Sequence, residues 1–184
     1  MTTVERFAIE GPALIHPTVH GDARGCFFEA FRQDLFERNV APGVPFVQDN
    51  QSLSRPAGTL RGLHFQLDPR AQAKLVRVLR GSILDVAVDI RPRSPTFGQH
   101  VAVTLSAENR AQLYVPTGFA HGFCTLEPDT EVFYKTSDFY SPTHDRGLAW
   151  NDPALGIVWP VSEADATLSD RDRLHPRLAD LAIR

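Results

Sequence analysis

The chain has 184 residues and a mass of 20.4 kDa, and its 19 Lys and Arg against 22 Asp and Glu leave a net charge of −3 and a pI of about 6.1. That length reads as one domain, residues 1–184, and with 42% hydrophobic and 22% charged residues the chain buries an ordinary core, which excludes a disordered tail. The slight acid excess excludes a broad phosphate-binding field, so nucleic acid is not an expected partner, while a few arginines in one pocket can still hold a small anion.

At the N-terminus, MTTVERFAIE lacks a basic region followed by an apolar stretch, and two cysteines, Cys26 and Cys124, are too few for a disulfide framework. A reducing cytoplasm is therefore expected. No apolar run approaches the roughly 20 residues needed to cross a bilayer. Residues 25–31 read as a short strand and Gln33–Asn39 as about two helical turns. Strands follow at Leu60–Gln66 and Lys74–Arg80, then along Leu84, Val86, Val88 and Ile90, and along Val101, Val103 and Leu105. Further strands are expected at residues 111–115, 122–126 and 131–138, each bounded by Gly, Pro, Asp or Asn, and a last helical stretch at residues 176–183. Short strands at this spacing predict an all-β double-sheet roll, and the scarcity of helical periodicity disfavours a parallel βαβ fold.

Two segments carry candidate chemistry. In Leu60-Arg61-Gly62-Leu63-His64-Phe65-Gln66, period two puts His64 and Gln66 on the same side as Leu60; in Val115-Pro116-Thr117-Gly118-Phe119-Ala120-His121-Gly122-Phe123, a Pro/Gly turn delivers His121 onto the next strand. Together they resemble the two halves of a metal-binding cupin. The match fails at Gln66, a poor ligand where a second His belongs, so no metal is expected. Without a metal, His64, Lys74, Tyr134 and an Asp of the tail form the base, cation and acid needed to remove a proton beside a carbonyl and return one. An imidazole is largely free to accept a proton at neutral pH, a nearby carboxylate fixes which ring nitrogen does so, and a phenol stays protonated. Taken singly, Lys74 also reads as a strand-edge lysine and Tyr134 as a core aromatic.

A longer set of motifs is more specific. Gly21-Asp22-Ala23-Arg24-Gly25, Phe28-Glu29, Gln48-Asp49-Asn50-Gln51-Ser52, Leu60 to Gln66, Lys74-Leu75-Val76-Arg77, Asp85 to Arg91, Ser94 to Gly98, Pro116 to Phe123, Tyr134-Lys135 and Trp150-Asn151-Asp152-Pro153 occur in this order over nearly the whole chain. In these segments the sequence resembles the dTDP-4-dehydrorhamnose 3,5-epimerase family. The resemblance implies a cupin-type double-stranded β-helix (jelly roll) with short peripheral helices, forming a homodimer. It also implies inversion of C3 and C5 of dTDP-4-dehydro-6-deoxy-D-glucose, without metal or nucleotide cofactor, to give dTDP-4-dehydro-L-rhamnose.

By the same resemblance His64 is the base, Tyr134 the acid on the opposite face of the ring, and Lys74 the cation at the C4 oxygen. The family's His–Asp dyad falls on Asp172 when the tail is anchored on Leu168-Ser169, with Asp170 as the alternative. Arg61, with Arg24 and Lys74 nearby, surrounds the pyrophosphate and sugar, as suits the planar fork of a guanidinium. Gln48, Asn50 and Glu29 bond the nucleoside or sugar, Tyr140 stacks on thymine with Phe139 its confusable neighbour, and His121 lines the sugar pocket with Asp85 in support. Residues 24–29 reach the partner's pocket in a dimer. Strict alternation keeps Arg61 and His64 on opposite faces, so bringing both to one ligand requires a bulge at Gly62 or an Arg61 that curls over the rim.

Other readings keep part of this pattern. An enzyme inverting only C3 or only C5, or a 3,4-ketoisomerase, shares the same motifs. Outside the class stand a sugar-nucleotide-binding module without chemistry and a metal-dependent cupin oxygenase, the latter disfavoured by Gln66.

Overall fold

A computed structural model describes residues 2–182. In chain order the elements are β1 (Thr3–Arg6), β2 (Ala13–His16), β3 (His20–Asp22), β4 (Gly25–Phe27), α1 (Gln33–Asn39), β5 (Gln48–Ser54), β6 (Leu60–Gln66), β7 (Lys74–Arg80), β8 (Ser82–Asp89), β9 (His100–Ser106), β10 (Gln112–Val115), β11 (Phe119–Thr125), β12 (Thr130–Thr136) and β13 (Asp145–Gly147). They form a six-stranded sheet ordered β1-β2-β10-β7-β12-β5, a five-stranded sheet ordered β13-β6-β11-β8-β9, and a separate β3-β4 hairpin. All strand pairings are antiparallel. Two facing antiparallel sheets joined by crossovers are the double-sheet roll that the spacing of the strands predicts.

The alternation of apolar residues sets which side of each sheet is inside. Val76, Val78, Leu113 and Val132 of the six-stranded sheet pack onto Ile83, Ala87, Val101, Leu105 and Phe123 of the other. The outer face of the five-stranded sheet is covered too: Leu63, Phe65, Val86 and Val88 lie against Leu148 and Leu155, and Leu60 and Cys124 against Trp150 and Ala166. Burial on both faces explains why β8 and β11 read as nearly continuous apolar runs. On the other sheet, α1 seats Phe36, with Val40 just beyond it, on Ile15, Leu75 and Tyr114.

Three expectations need correcting. Only Gly25–Phe27 of the strand expected over 25–31 is a strand, an exposed hairpin arm; Phe28 and Phe31 leave the ladder, Phe28 under the guanidinium of Arg77 at 5.5 Å and Phe31 against Phe36 at 5.9 Å. In place of the helix expected over 176–183 there is a 3-10 turn, Leu178–Asp180. Asp152 caps its first residue by accepting the Leu178 N–H at 2.7 Å, Leu178 and Leu181 pack toward the outer core, and residue 183 lies outside the described residues. Finally, β1, β2, β3 and β13 lie outside the expected strands, and so does β5. Its residues Gln48, Asn50 and Ser52 are polar because their side of the strand faces a cavity rather than the apolar core.

Candidate active site

The two sheets part at one end around a cavity of about 470 Å³, lined from β6 by Arg61 and His64, from β7 by Lys74, from β11 by His121, from β12 by Tyr134 and from the C-terminal tail by Ser169, Arg171 and Asp172. Residues more than 100 positions apart meet here because the C-terminal tail runs back beside β6, Thr59 bridging Thr167 and the Leu60 N–H donating to the Thr167 carbonyl at 2.9 Å. In the six-stranded sheet Lys74 is level with Thr136, and Tyr134 with both Val76 and Asn50, so Lys74, Tyr134, Asn50 and Ser52 share the inward face. Opposite them, β11 pairs His121 with His64 and Phe123 with Arg61. Two residues on β11 therefore span three on β6, a bulge at Gly62 that turns Arg61 and His64 toward the same cavity. The bulge also corrects the expected placing of Leu60, which faces the outer core with Cys124 and not the side of His64.

His64 Nε2 lies 2.6 Å from Asp172 Oδ1. Burial raises the Asp172 pKa, but the donors around its carboxyl, His175 and His64 foremost, outweigh that and hold it well below the usual carboxylate range. An ionised Asp172 accepts the Nε2–H of His64, which leaves Nδ1 as the nitrogen with a free lone pair. Asp170, two residues earlier, is exposed. Lys74 Nζ donates to the backbone oxygen of His64 at 3.3 Å; burial pulls its pKa down to about 8 against the attraction of Asp145 and Asp85. Burial pushes the Tyr134 phenol up, with Arg61 opposing, so Tyr134 keeps its proton at neutral pH. His121 and Asp85 form a buried pair at 2.7 Å, and burial lowers the His121 pKa despite the carboxylate.

A second cluster stands at the rim. Gln48 Nε2 donates to Asn50 Oδ1 at 2.9 Å, Gln48 Oε1 accepts the Tyr140 N–H at 3.0 Å, and the Tyr140 hydroxyl donates to Asp145 Oδ2 at 3.0 Å. Arg171 donates to that same oxygen at 2.6 Å, which ties the rim to the cavity. Phe139 and Tyr140 are both more than half exposed. Arg61 donates to Ser54 Oγ at 3.2 Å and to the Leu53 carbonyl at 3.3 Å, its guanidinium at the cavity mouth.

Arg24 and Glu29 are not brought to this cavity. Arg24 is exposed on the β3-β4 hairpin and pairs with Asp22, and Glu29 sits beside α1, 3.5 Å from Arg32, because the segment after the hairpin crosses the outer face of the six-stranded sheet, with Phe28 by Arg77, the Ala30 carbonyl accepting from Gln112 and Phe31 by Lys135. Arg171, Asp145 and His175 line or support the site without having been singled out from the sequence; only Arg171 had a signal, flanked by the two candidate carboxylates. Gln66 is committed elsewhere, its amide donating to the Phe139 carbonyl and accepting the Ser141 N–H.

Among the described residues, His64, Asp172 and His175 are the one group whose donor atoms lie close enough together, within 4.8 Å, to hold a metal ion. At 2.6 Å, however, His64 and Asp172 already share a proton that a cation would have to displace.

The family model for dTDP-4-dehydrorhamnose 3,5-epimerase matches residues 6–180. A curated dTDP-4-dehydrorhamnose 3,5-epimerase of Sinorhizobium fredii is 55% identical over 170 residues, covering 92% of this chain and 86% of that protein. Among solved structures, a dTDP-6-deoxy-D-glucose-3,5-epimerase of Legionella pneumophila in complex with dTDP-4-keto-L-rhamnose superposes with a TM-score of 0.94 at 42% identity, over 99% of this chain and 95% of that one. A 3'-monoepimerase of Streptomyces bikiniensis in complex with dTDP-quinovose superposes with a TM-score of 0.87 at 38% identity, over 94% and 86%. With a match over nearly its whole length and relatives at about half identity, the chain belongs to the dTDP-4-dehydrorhamnose 3,5-epimerase family.

Proposed function

We propose that this chain is an isomerase that inverts C3 and C5 of dTDP-4-dehydro-6-deoxy-D-glucose to give dTDP-4-dehydro-L-rhamnose. The observation that carries the proposal is the set of His64, Lys74 and Tyr134 around one cavity, with His64 and Tyr134 on opposite sheets. A sugar ring between those sheets has an imidazole on one face and a phenol on the other.

The C4 ketone acidifies the protons on C3 and C5. His64, oriented by Asp172, removes one through Nδ1, and the electron pair moves into an enolate whose oxygen faces the Lys74 ammonium; a preorganised donor of this kind is worth roughly 3–4 kcal/mol of barrier. Tyr134 then donates its proton to the same carbon from the other face, which inverts it. Solvent exchange resets the imidazolium and phenolate, and the sequence repeats at the other carbon. Each centre loses one proton and gains one, so the atoms balance without an oxidant or reductant. Arg61 suits the pyrophosphate, Gln48 and Asn50 offer amides to the nucleoside or sugar, Tyr140 offers an exposed ring to thymine, and His121 lines the sugar pocket beside Asp85.

The chain acts as one domain and, we infer, as a homodimer in which the hairpin bearing Arg24, and Glu29 after it, serve the partner's pocket. Support comes from the distance of these residues from their own cavity and from Phe27, 69% exposed at the hairpin. Cys26 and Cys124, both free, suit a reducing cytoplasm, and no described helix is long and apolar enough to cross a membrane.

Deuterium uptake from heavy water tests the reading. Label entering both C3 and C5 of the 4-keto sugar is the expected result. Label at one carbon alone indicates a single-centre epimerase, the reading favoured by likeness to the 3'-monoepimerase; a 3-keto product indicates a ketoisomerase, and no label at all a binding module.

A further inference from the structure

Two imidazoles stand beside the Asp172 carboxylate. His175 Nε2 stands 3.3 Å from the same Oδ1 that holds His64, off the line of an ideal hydrogen bond and with no other partner. Its side chain is 8% exposed, and its ring meets that of His64 edge to face, 5.5 Å between centroids at 86°. The space for this ring exists because residue 147, level with His64 in the β13-β6 ladder, is glycine; any Cβ there would run into the imidazole. The backbone after His175 is pinned in turn, the Ala149 N–H donating to the Pro176 carbonyl at 2.8 Å. A buried polar nitrogen with no partner is costly, and the one acceptor within reach is the carboxylate of the dyad.

We propose that His175 is a positioning residue of this enzyme: as the Nε2–H tautomer it donates to Asp172, holding the carboxylate against His64 and sharing its negative charge between two rings. The proposal rests on His64 and Asp172 acting as the base dyad. The approach of His175 also helps keep the Asp172 carboxyl ionised despite burial. The charged and titratable groups around His64 are Asp172, His175 and Arg171 from the tail, Lys74 from β7, Tyr134 from β12, Arg61 from its own strand and the His121–Asp85 pair from β11 and β8. Of these, His175 is the one that reaches His64 through the carboxylate. With His175 gone, more of the charge of Asp172 rests on the His64 imidazolium and stabilises it, so the base keeps its proton to higher pH. The carboxylate also loses one of its anchors, leaving His64 and Ser169.

The test is the pH profile of solvent deuterium exchange for the full chain and its His175→Phe and His175→Gln variants, with melting temperature as the fold control and Asp172→Asn alongside. Phe fills the ring's space without a donor, whereas Gln carries an N–H of similar reach. The expected result is a loss of roughly ten- to a hundred-fold in kcat for His175→Phe, the range found when an outer partner orienting a functional side chain is removed. The acid limb of kcat/KM moves to higher pH, and His175→Gln recovers both rate and profile. A Phe variant with wild-type rate and limb, or a Gln variant as impaired as Phe, overturns the inference alone. An Asp172→Asn variant with wild-type exchange removes the dyad itself and this inference with it. Should His175→Phe not fold, nitrogen NMR of the histidines in the wild-type chain decides: a proton on His175 Nε2 supports the assignment, and a bare Nε2 overturns it.

Discussion

Arg61 and His64 stand three residues apart on one strand and still face the same cavity, because β11 opposes Arg61 with Phe123 and His64 with His121. The residue that absorbs the extra position is Gly62, at φ +133°, where a Cβ would come within 2.6 Å of Gly122 Cα and 3.0 Å of the His121 carbonyl. Gly62→Ala is expected to cost about 3 kcal/mol or more through strained backbone and overpacking together, and to impair the site along with the fold. A melting temperature within a degree or two of wild type would show that the bulge does not depend on glycine.

Lys74 links activity to pH and to stability. Burial brings its pKa from 10.5 down to about 8, so the folded protein disfavours the ammonium proposed to face the enolate. Turnover should fall as pH rises through about 8, well below the titration of Tyr134, whose pKa is raised above 10. At pH 7 the buried ammonium opposes folding, an opposition that disappears as pH rises from 8 toward 10.5, since there the unfolded chain binds the extra proton. Lys74→Met should therefore raise stability at pH 7, on the order of 2 kcal/mol, while turnover collapses and substrate affinity changes less. Unchanged turnover would remove Lys74 from the chemistry.

Loss of His64 and loss of Tyr134 should look different. His64→Ala abolishes nearly all exchange at C3 and C5, on the order of 10²-fold or more. Tyr134→Phe keeps exchange on the His64 side but slows inversion, because the proton from the far face is missing. Wild-type inversion by Tyr134→Phe, followed by NMR of the product, would deprive the phenol of its role.

The two tail carboxylates should separate cleanly. Asp172→Asn is expected to reduce exchange by about 10²-fold or more, and Asp170→Asn, altering an exposed side chain, to leave it unchanged. Because the folded-state pKa of Asp172 is depressed, its stabilising contribution is present above the ordinary carboxylate pKa near 3.9 and fades as pH falls below it. The Asn variant should thus melt lower at pH 7 and lose less on acidification, which a pH series of thermal melts will read.

Much of this protein was legible in its residues. The alternation along Lys74–Arg80 gives a strand whose Val76 and Val78 face inward, whereas Leu84, Val86, Val88 and Ile90, read as one face of β8, form its outer side, with Ile83 and Ala87 inward. Gln33–Asn39 reads as helix because Phe36 and Val40 sit four apart on one face. Local rules end where a residue's neighbours are far along the chain. β5 escaped a reading based on apolar alternation because its inward side faces a polar cavity. The turn at Leu178–Asp180 replaced a helix because Asp152 and the outer core claim that segment. Arg24 and Glu29 matched the motif yet lie far from the cavity of their own chain. By itself the sequence determined the types of group available and the strands that bear them. The tertiary structure alone decided that a bulge at Gly62, and not a curl over the rim, turns Arg61 inward, that Leu60 faces the outer core, and that His175 fills the space above Gly147, because each depends on contacts between segments that no periodicity encodes.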